Sequence, residues 1–240
     1  MDSLPAFLHN LSFMLVPLMV AIVLHEYAHG RVAHFFGDPT AKSLGRLTLN
    51  PLPHIDLYGS IIVPLILFLI PGGFIFGWAK PVPINAGKLH NPKRDMALVA
   101  IAGPLMNLCL AVISGLLLAL FLYIDPTLKD NWPPQPGVEP RQDLQGMLLV
   151  PLTAMALFSM LINIVLFAFN LLPIPPLDGS RVLISVLPPK PAMALSRLEP
   201  YGMLVVLGLI MVNSHIPILS MYIGSIQQAF FQIFLSEFLS

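Results

Sequence analysis

The stretch LHEYAHG, residues 24–30, places two histidines and a glutamate inside a long apolar run of the chain. On an α-helix, residues four apart lie about 40° apart around the axis, so His25 and His29 would share one face. Two imidazoles at this spacing can bind one zinc ion, and Glu26 would lie beside the metal, where it can act as a general base on an activated water. The pattern therefore predicts metal-assisted hydrolysis.

Ionisable side chains are costly to place in hydrocarbon, and those found there usually belong to functional sites. The competing interpretation of HEYAH is a polar cluster whose members hydrogen-bond within a bundle of helices. We favour the metal site, because an unpaired charge in a membrane is expected to have a role.

A catalytic zinc ion takes a third protein ligand and leaves its fourth position for water. A third histidine six residues after the second is excluded, because that position is Phe35. His34 lies about 140° from His29 on a helix and faces elsewhere. The remaining candidates are carboxylates on other parts of the chain: Glu139, Glu199, Glu237 and Asp178.

Asp178 has the most distinctive setting of these carboxylates, in FNLLPIPPLDGSRV. The prolines of this stretch break the helix before it and leave irregular backbone at membrane depth, which is tolerated where protein or a watery cavity receives it. Gly179 is expected to permit a tight turn after the aspartate. The alternative is that Asp178 caps a helix beginning near Ser180; we favour the role of metal ligand.

The composition predicts an integral membrane protein. Of 240 residues, 56% are hydrophobic and 10% are charged, whereas a soluble domain has about 25% charged residues. The net charge is zero and no basic block is present, so we expect no nucleic-acid partner. A single cysteine, Cys109, excludes both an internal disulfide and a zinc site built from several cysteines.

Four stretches approach the length of about 20 apolar residues that a membrane span needs: Leu11–Phe36, Met96–Ile124, Met147–Leu172 and Tyr201–Ile223. The last can continue through Phe238 as a second span after a break at 215–217. Ser60–Ile70 is apolar but short, and it leads into the Gly- and Pro-rich stretch 71–85. We expect this region to be re-entrant or β-like.

The predicted fold class is thus an all-α membrane protein, a polytopic bundle of transmembrane helices with a short re-entrant or β-like membrane-associated segment. We expect a single membrane-embedded domain over residues 1–240, with a core at about 11–188 and C-terminal helices at about 201–238.

The basic residues predict the orientation in the membrane. They cluster after the first span, before the second and after the third, and these clusters lie on the cytoplasmic side if Ser60–Ile70 does not cross alone. The loop Asp125–Gln145, with two basic and four acidic residues, then faces out. In this topology the ends of the first and third spans, with HEYAH and Asp178, lie at similar depth near the cytoplasmic face.

HEYAH in one span, together with NLLPIPPLDG after another, resembles the site-2 protease family of intramembrane zinc metalloproteases. The resemblance implies that His25, His29 and Asp178 bind one zinc ion and that Glu26 is the catalytic base. It also implies a substrate that is a transmembrane segment of another protein. The stretches 47–60, 76–85 and 91–107 resemble the small bacterial members, which implies the bacterial cell membrane and a chain without a PDZ domain.

Two asparagines are secondary candidates for the site. Asn107, in AGPLMN, matches a polar residue that faces the active site in the family, and its amide could orient substrate or stabilise an oxyanion. A helix–helix hydrogen bond is the equal alternative. Asn170 opens the aspartate motif and could bind the broken backbone or a substrate strand, although capping the preceding helix is slightly favoured.

The first alternative function is a non-catalytic zinc-binding membrane protein or a transporter. The intact Glu26 argues against an inactive site, and few ionisable residues line the predicted spans as a transporter would require. The second is a di-iron membrane oxidase, which needs many clustered histidines; only two of the seven in this chain are suitably spaced. The sequence names neither a particular substrate nor an oligomeric state.

Overall fold

Long apolar runs form helices in this chain, because backbone polar groups in hydrocarbon must be satisfied within the protein. The computed structural model describes residues 4–69, 77–128, 143–213 and 216–239. The α-helices in these ranges are α1 (Leu4–Phe35), α2 (Thr40–Ser43), α3 (Val63–Leu69), α4 (Pro92–Ile124), α5 (Leu144–Asn170), α6 (Asp178–Val186), α7 (Pro189–Ser196), α8 (Gly202–Asn213) and α9 (Ile218–Leu239).

In the described part of the chain, five helical stretches are long and apolar enough to cross a membrane: Phe13–Phe35, Pro92–Ile124, Leu144–Asn170, Pro189–Asn213 and Ile218–Ser236. The prediction of an all-α polytopic membrane protein is confirmed. The stretch predicted as one span over Tyr201–Ile223 is divided, since α8 ends at Asn213 and α9 begins at Ile218. A second C-terminal span is therefore present by length and composition.

The short apolar stretch after the first span is helical as far as Leu69. A π-helical part, Leu57–Ile62, continues directly into α3. At 1.5 Å per residue this stretch is about 20 Å long, less than the hydrocarbon thickness of about 30 Å. The β-like segment is not found in 77–85, which is a loop without strand pairing in the described residues; the rest of it, 70–76, lies outside them.

Helix α4 lies at the centre of the bundle and contacts α1, α5 and α6. It runs antiparallel to α5. Asn107 bonds Asn163, whereas Ser114, two turns later in α4, bonds Ser159, one turn earlier in α5. It also runs antiparallel to α1, because His25 contacts Asn107 while His29, one turn later in α1, contacts Val99, eight residues earlier in α4. The C-terminal ends of α1 and α5 therefore lie at the same end of the bundle, as the predicted topology requires.

Candidate active site

The C-terminal part of α1 brings the two histidines of HEYAH together. Their Nε2 atoms lie 3.0 Å apart, and the rings meet edge to face with centroids 4.6 Å apart. Both His25 and His29 are buried. The shared helical face that the spacing predicts is therefore turned into the bundle rather than towards lipid.

Asp178, the first residue of α6, approaches both histidines. Its Oδ2 lies 3.2 Å from Nε2 of His25 and 3.3 Å from Nε2 of His29. This oxygen is buried and has no hydrogen-bond partner among the described residues, and a buried carboxylate oxygen without a partner is costly. A cation held between the three atoms would satisfy it.

The three donor atoms fit one zinc ion. Tetrahedral zinc with bonds of about 2.0–2.1 Å keeps its ligand atoms about 3.3 Å apart, and the observed separations are 3.0, 3.2 and 3.3 Å. Two imidazole nitrogens and one carboxylate oxygen also match catalytic zinc sites, which leave the fourth position open. Within the described ranges, His25, His29 and Asp178 are the residues grouped closely enough to hold a metal.

The outer nitrogen of each imidazole faces a hydrogen-bond acceptor. Nδ1 of His29 lies 2.7 Å from the carbonyl oxygen of Val99, and Nδ1 of His25 lies 2.6 Å from Oδ1 of Asn107. A carbonyl oxygen only accepts, so Nδ1 of His29 carries the proton and its Nε2 has a free lone pair. Histidines that bind metals are commonly oriented in this way.

Gly103 of α4 gives the two imidazoles their space. A Cβ at this position would collide with Nε2 of His29 and lie 2.6 Å from Cε1 of His25. Any side chain here would enter the volume where the donor nitrogens meet. The glycine of AGPLMN is therefore required by the close approach of α4 to the histidine rings.

The local structure around Asp178 differs in two ways from the sequence expectation. Helix α6 begins at Asp178 itself, with Leu177 in the N-cap position, so Asp178 does not cap a helix starting near Ser180. The expected tight turn at Gly179 is wrong, because this residue is helical. A Cβ there would collide with the carbonyl oxygen of Leu171, so the glycine permits α6 to pack against the end of α5.

The carboxylate of Glu26 accepts a hydrogen bond from the loop 77–85. The N–H of Val82 donates to Oε2 at 2.7 Å, and Val82 is buried. Its neighbours Pro81 and Pro83 have no N–H, so the sequence PVP leaves one amide donor between two prolines. One oxygen of Glu26 is thus held by the backbone of this loop.

The loop 77–85 is itself fastened to the end of the bundle. The N–H of Lys80 donates to the carbonyl of His54 at 2.9 Å, and the guanidinium of Arg46 donates to the carbonyl of Lys80 at 2.8 Å. The N–H of Asn85 donates to Oδ2 of Asp38 at 2.6 Å. These contacts hold the Val82 amide in position over Glu26.

Both ends of the Asn107 amide are bonded within the protein. Oδ1 faces His25, and Nδ2 donates to Oδ1 of Asn163 at 2.8 Å. Asn107 is fully buried. These contacts favour support of a histidine over contact with substrate.

The structure does not bring Asn170 to the three donor atoms through any contact within the described residues. Its Nδ2 donates to the carbonyl of Leu166 in its own helix at 2.9 Å, which agrees with the interpretation that it finishes α5. Glu199, one of the alternative carboxylates, pairs with Arg181 at 3.2 Å on the surface. The side chains of Glu139 and Glu237 lie outside the described residues.

The family model of peptidase family M50 matches residues 13–212. The chain belongs to peptidase family M50. The resemblance to the site-2 protease family that HEYAH and NLLPIPPLDG carry is thereby confirmed, and intramembrane proteolysis is the activity of this family. The zinc cofactor expected for an M50 protein agrees with the two-histidine, one-carboxylate group described above.

Curated relatives of this M50 chain include "Putative zinc metalloprotease YwhC" of Bacillus subtilis, 39% identical over 81% of this chain and 78% of the relative. Two proteins named "Putative zinc metalloprotease Rip2" also match. That of Mycolicibacterium smegmatis is 32% identical over 80% of this chain, and that of Mycobacterium tuberculosis is 31% identical over 79%. The matched regions cover 64% and 62% of these two relatives. No solved structure matches the chain.

Sequence reasoning did not assign Val82 or Asn163 to the site of this M50 protein. The pattern PVP singles out one amide, but its partner Glu26 lies 56 residues away along the chain. Asn163 is a polar residue in an apolar helix, and such a residue commonly makes a buried hydrogen bond. The sequence alone does not identify its partner.

Proposed function

We propose that this M50 protein is an intramembrane zinc metalloprotease that hydrolyses peptide bonds in or near transmembrane segments of other membrane proteins. The proposal depends on the convergence of Nε2 of His25, Nε2 of His29 and Oδ2 of Asp178 within 3.3 Å. We assign these three residues as the ligands of one zinc ion. Glu26, which adjoins His25 in the sequence, is the catalytic base.

Glu26 moves the protons of the reaction. When bound, zinc supplies Lewis acidity, which makes water a nucleophile at neutral pH and polarises the scissile carbonyl. The carboxylate of Glu26 takes a proton from the attacking water while its Oε2 stays bonded to the Val82 amide. Glu26 then delivers this proton to the leaving nitrogen of the substrate, as a general acid.

The substrate must unwind where it is cut. A peptide bond inside a transmembrane helix is hydrogen-bonded and shielded by its own side chains, so the segment has to present an extended stretch at the site. The site near the ends of α1 and α5 is suited to this, because water reaches the end of a bundle more easily than its middle. Asn107 supports His25 in this assignment, and Asn170 supports the end of α5 from which the Asp178 loop departs.

We further propose that this end of the bundle faces the cytoplasm of a bacterial cell. Ten of the twelve lysines and arginines lie in the segments at the site end, and the other two lie between α4 and α5. Basic residues in short loops concentrate on the cytoplasmic side. The lipid bilayer is therefore a partner of the protein along the spans, and the basic loops meet its cytoplasmic surface.

The alternative is a zinc-binding membrane protein without catalysis, such as a transporter. A transporter would carry ionisable groups along a path through its spans. From His25 the polar contacts continue into the bundle through the neutral side chains of Asn107 and Asn163. This chain of amides suits support of a ligand better than ion passage, and it favours the protease.

The deciding experiment compares cells expressing the wild type with cells expressing Glu26→Gln. Membrane proteins are collected, and new N-termini are identified by mass spectrometry. We expect new termini within transmembrane segments in the wild type and their loss, by at least about 100-fold in yield, in Glu26→Gln, because general-base catalysis contributes about 10²–10⁴-fold. Identical termini in both cell lines would refute the proteolytic function.

Zinc content distinguishes a variant that has lost catalysis from one that has lost zinc binding. We expect one zinc per chain in the purified wild type and in Glu26→Gln, and loss of zinc in His25→Ala and Asp178→Ala. If Glu26→Gln protein in liposomes carries zinc across the bilayer as fast as the wild type does, the transporter is favoured instead.

A further inference from the structure

We propose that Asn163 of α5 is a positioning residue for the zinc ligand His25, acting through Asn107. This inference rests on the proposed function in one respect, the binding of zinc by His25. Asn163 is buried, with 1% of its surface exposed, and its side chain hydrogen-bonds to Asn107 and Ser159.

The chain of hydrogen bonds starts at the backbone carbonyl oxygen of Ser159, which can only accept. Nδ2 of Asn163 lies 2.8 Å from the backbone carbonyl oxygen of Ser159, one turn earlier in α5. A backbone carbonyl accepts and cannot donate, so the NH₂ group of Asn163 must face it. Oδ1 of Asn163 is therefore turned away from its own helix and towards α4.

This orientation fixes the amide of Asn107. Oδ1 of Asn163 accepts from Nδ2 of Asn107 at 2.8 Å, and the carbonyl of Ala21 lies 3.4 Å from the same nitrogen. Because both of these oxygens accept, the NH₂ group of Asn107 must be the end of the amide that faces them. Its Oδ1 consequently faces Nδ1 of His25, at 2.6 Å.

The last contact selects the tautomer of His25. Because Oδ1 of Asn107 accepts, Nδ1 of His25 carries the proton and Nε2 is left with a free lone pair. If the amide of Asn107 were reversed, its NH₂ group would face Nδ1, the proton would move to Nε2, and that nitrogen could no longer bind a metal. The direction set at Ser159 thus decides whether His25 can be a ligand.

The two histidines reach the same state by different means. His29 bonds directly to the carbonyl of Val99, which is backbone and cannot reverse. His25 depends on two side-chain amides, each of which could rotate if its partner were lost. Removal of Asn163 should therefore affect His25 and leave His29 unchanged.

A purely structural role would also explain a hydrogen bond between α4 and α5, since such bonds hold membrane helices together. The two roles differ in what they change. A structural contact alters the stability of the fold, whereas a positioning contact alters zinc affinity and the protonation of one imidazole in a protein that remains folded.

The test compares Asn163→Leu with Thr153→Val. Thr153 lies on the same helix, is also buried, and its hydroxyl has no hydrogen-bond partner among the described residues, so it serves as a control for the loss of a buried polar group from α5. All variants are made in the Glu26→Gln background, where no cleavage is needed. Zinc affinity is measured by competition with a chelator, and thermal unfolding is measured on the metal-free proteins.

We expect Asn163→Leu to lower zinc affinity by about 10- to 100-fold, the usual effect of losing an outer-sphere partner of a histidine ligand, and Thr153→Val to leave it unchanged. Asn107→Leu should lower affinity at least as much. The double variant Asn107→Leu/Asn163→Leu should be no worse than Asn107→Leu alone, because Asn163 acts through Asn107.

Spectroscopy gives a second readout. In zinc-loaded protein with ¹⁵N-labelled histidine, we expect the wild type to show a hydrogen-bonded proton on Nδ1 of both site imidazoles and Asn163→Leu to show a changed Nδ1 signal at one of them. Unchanged affinity and Nδ1 signals in Asn163→Leu, or losses that add in the double variant, would overturn the inference alone. A wild type that binds no zinc at all would overturn both the inference and the proposed function.

Discussion

The bundle around the site and the C-terminal helix pair bury different kinds of residue. Helices α1, α4 and α5 bury histidines and asparagines whose polar atoms are bonded to one another. Within the described parts of α8 and α9, the buried residues are Gly202, Val206 and Leu235, none of them polar. In this comparison, buried polar side chains are found in the bundle that holds the site.

The glycines of the two regions show the same contrast. At Gly103 and Gly179 a Cβ would collide with atoms of the site or its support. At Gly208 of α8 and Gly224 of α9, no atom of the described residues lies within 4 Å of such a Cβ. Gly103 and Gly179 thus leave space that atoms of the site or its support use, whereas Gly208 and Gly224 of the C-terminal pair border open space.

The largest expected effect is that of Gly103→Ala. The new methyl group would occupy the position of the imidazole nitrogens and displace them from a common metal position. A displacement of about 1 Å can cost about 100-fold in rate, so we expect cleavage to fall by at least that factor and zinc to be lost. The measurement is zinc content together with the yield of new termini in membrane proteins.

Gly208→Ala is the matched control for that variant, because it adds the same methyl group to open space on a helix of the same protein. It should keep zinc and cleavage at wild-type levels. If Gly103→Ala and Gly208→Ala lost zinc and cleavage equally, the effect would come from disturbed helix packing in general and not from the position of Gly103 beside the imidazoles.

The sequence was sufficient to predict, for a physical reason, that His25, His29 and Asp178 lie together. His25 and His29 are four residues apart, so helical periodicity alone puts them on one face. Asp178 could be inferred because prolines interrupt an apolar run just before it, and such backbone needs a polar surrounding. The polytopic fold followed from the lengths of the apolar runs.

The supporting contacts could not be predicted in this way, since they depend on which helices meet and at what height. Val82 contacts Glu26 across 56 residues of sequence, and Asn163 contacts Asn107 across the same separation. The β-like expectation for 71–85 arose from strand-forming residues between glycines and prolines. In the described part of that stretch, the backbone instead bonds to side chains and loops of the bundle end.

A smaller effect is expected at the point where the C-terminal pair meets the site loop. A Cβ on Gly202, the first residue of α8, would lie 2.6 Å from backbone atoms of Pro175 and Pro176, which precede Asp178 in the same loop. Gly202→Ala should shift this loop and lower zinc affinity by about 10-fold, the lower end of the effect of disturbing ligand support. Chelator competition measures it.

Gly224→Ala in α9 is the control, since that position is open. If Gly202→Ala and Gly224→Ala both leave zinc affinity at the wild-type value, then α8 does not support the site, and the two regions are independent. A loss in Gly202→Ala alone would show that the C-terminal pair acts on the site through this loop.

The smallest expected effect concerns Asp38, which ties the end of α1 to the loop that holds Glu26. Burial would raise the pKa of the Asp38 carboxyl, but hydrogen bonds from Thr40 and from the N–H of Asn85, with the charge of Lys88, together hold this pKa below its usual range. A carboxyl with a lowered folded-state pKa stabilises the fold above its unfolded-state pKa of about 3.9, and this contribution is lost as pH falls through the folded-state value.

Asp38→Asn removes that charge and places an NH₂ group against one of its donors. We expect its unfolding temperature in detergent to lie a few degrees below that of the wild type at pH 6–7, given about 2–4 °C per kcal/mol for a chain of this size. The gap should narrow as pH falls below about 4, because the unfolded wild-type chain then binds a proton at this carboxyl and the variant does not. If the difference in unfolding temperature stayed constant down to pH 3, the charge of Asp38 would not contribute to holding the loop that contacts Glu26.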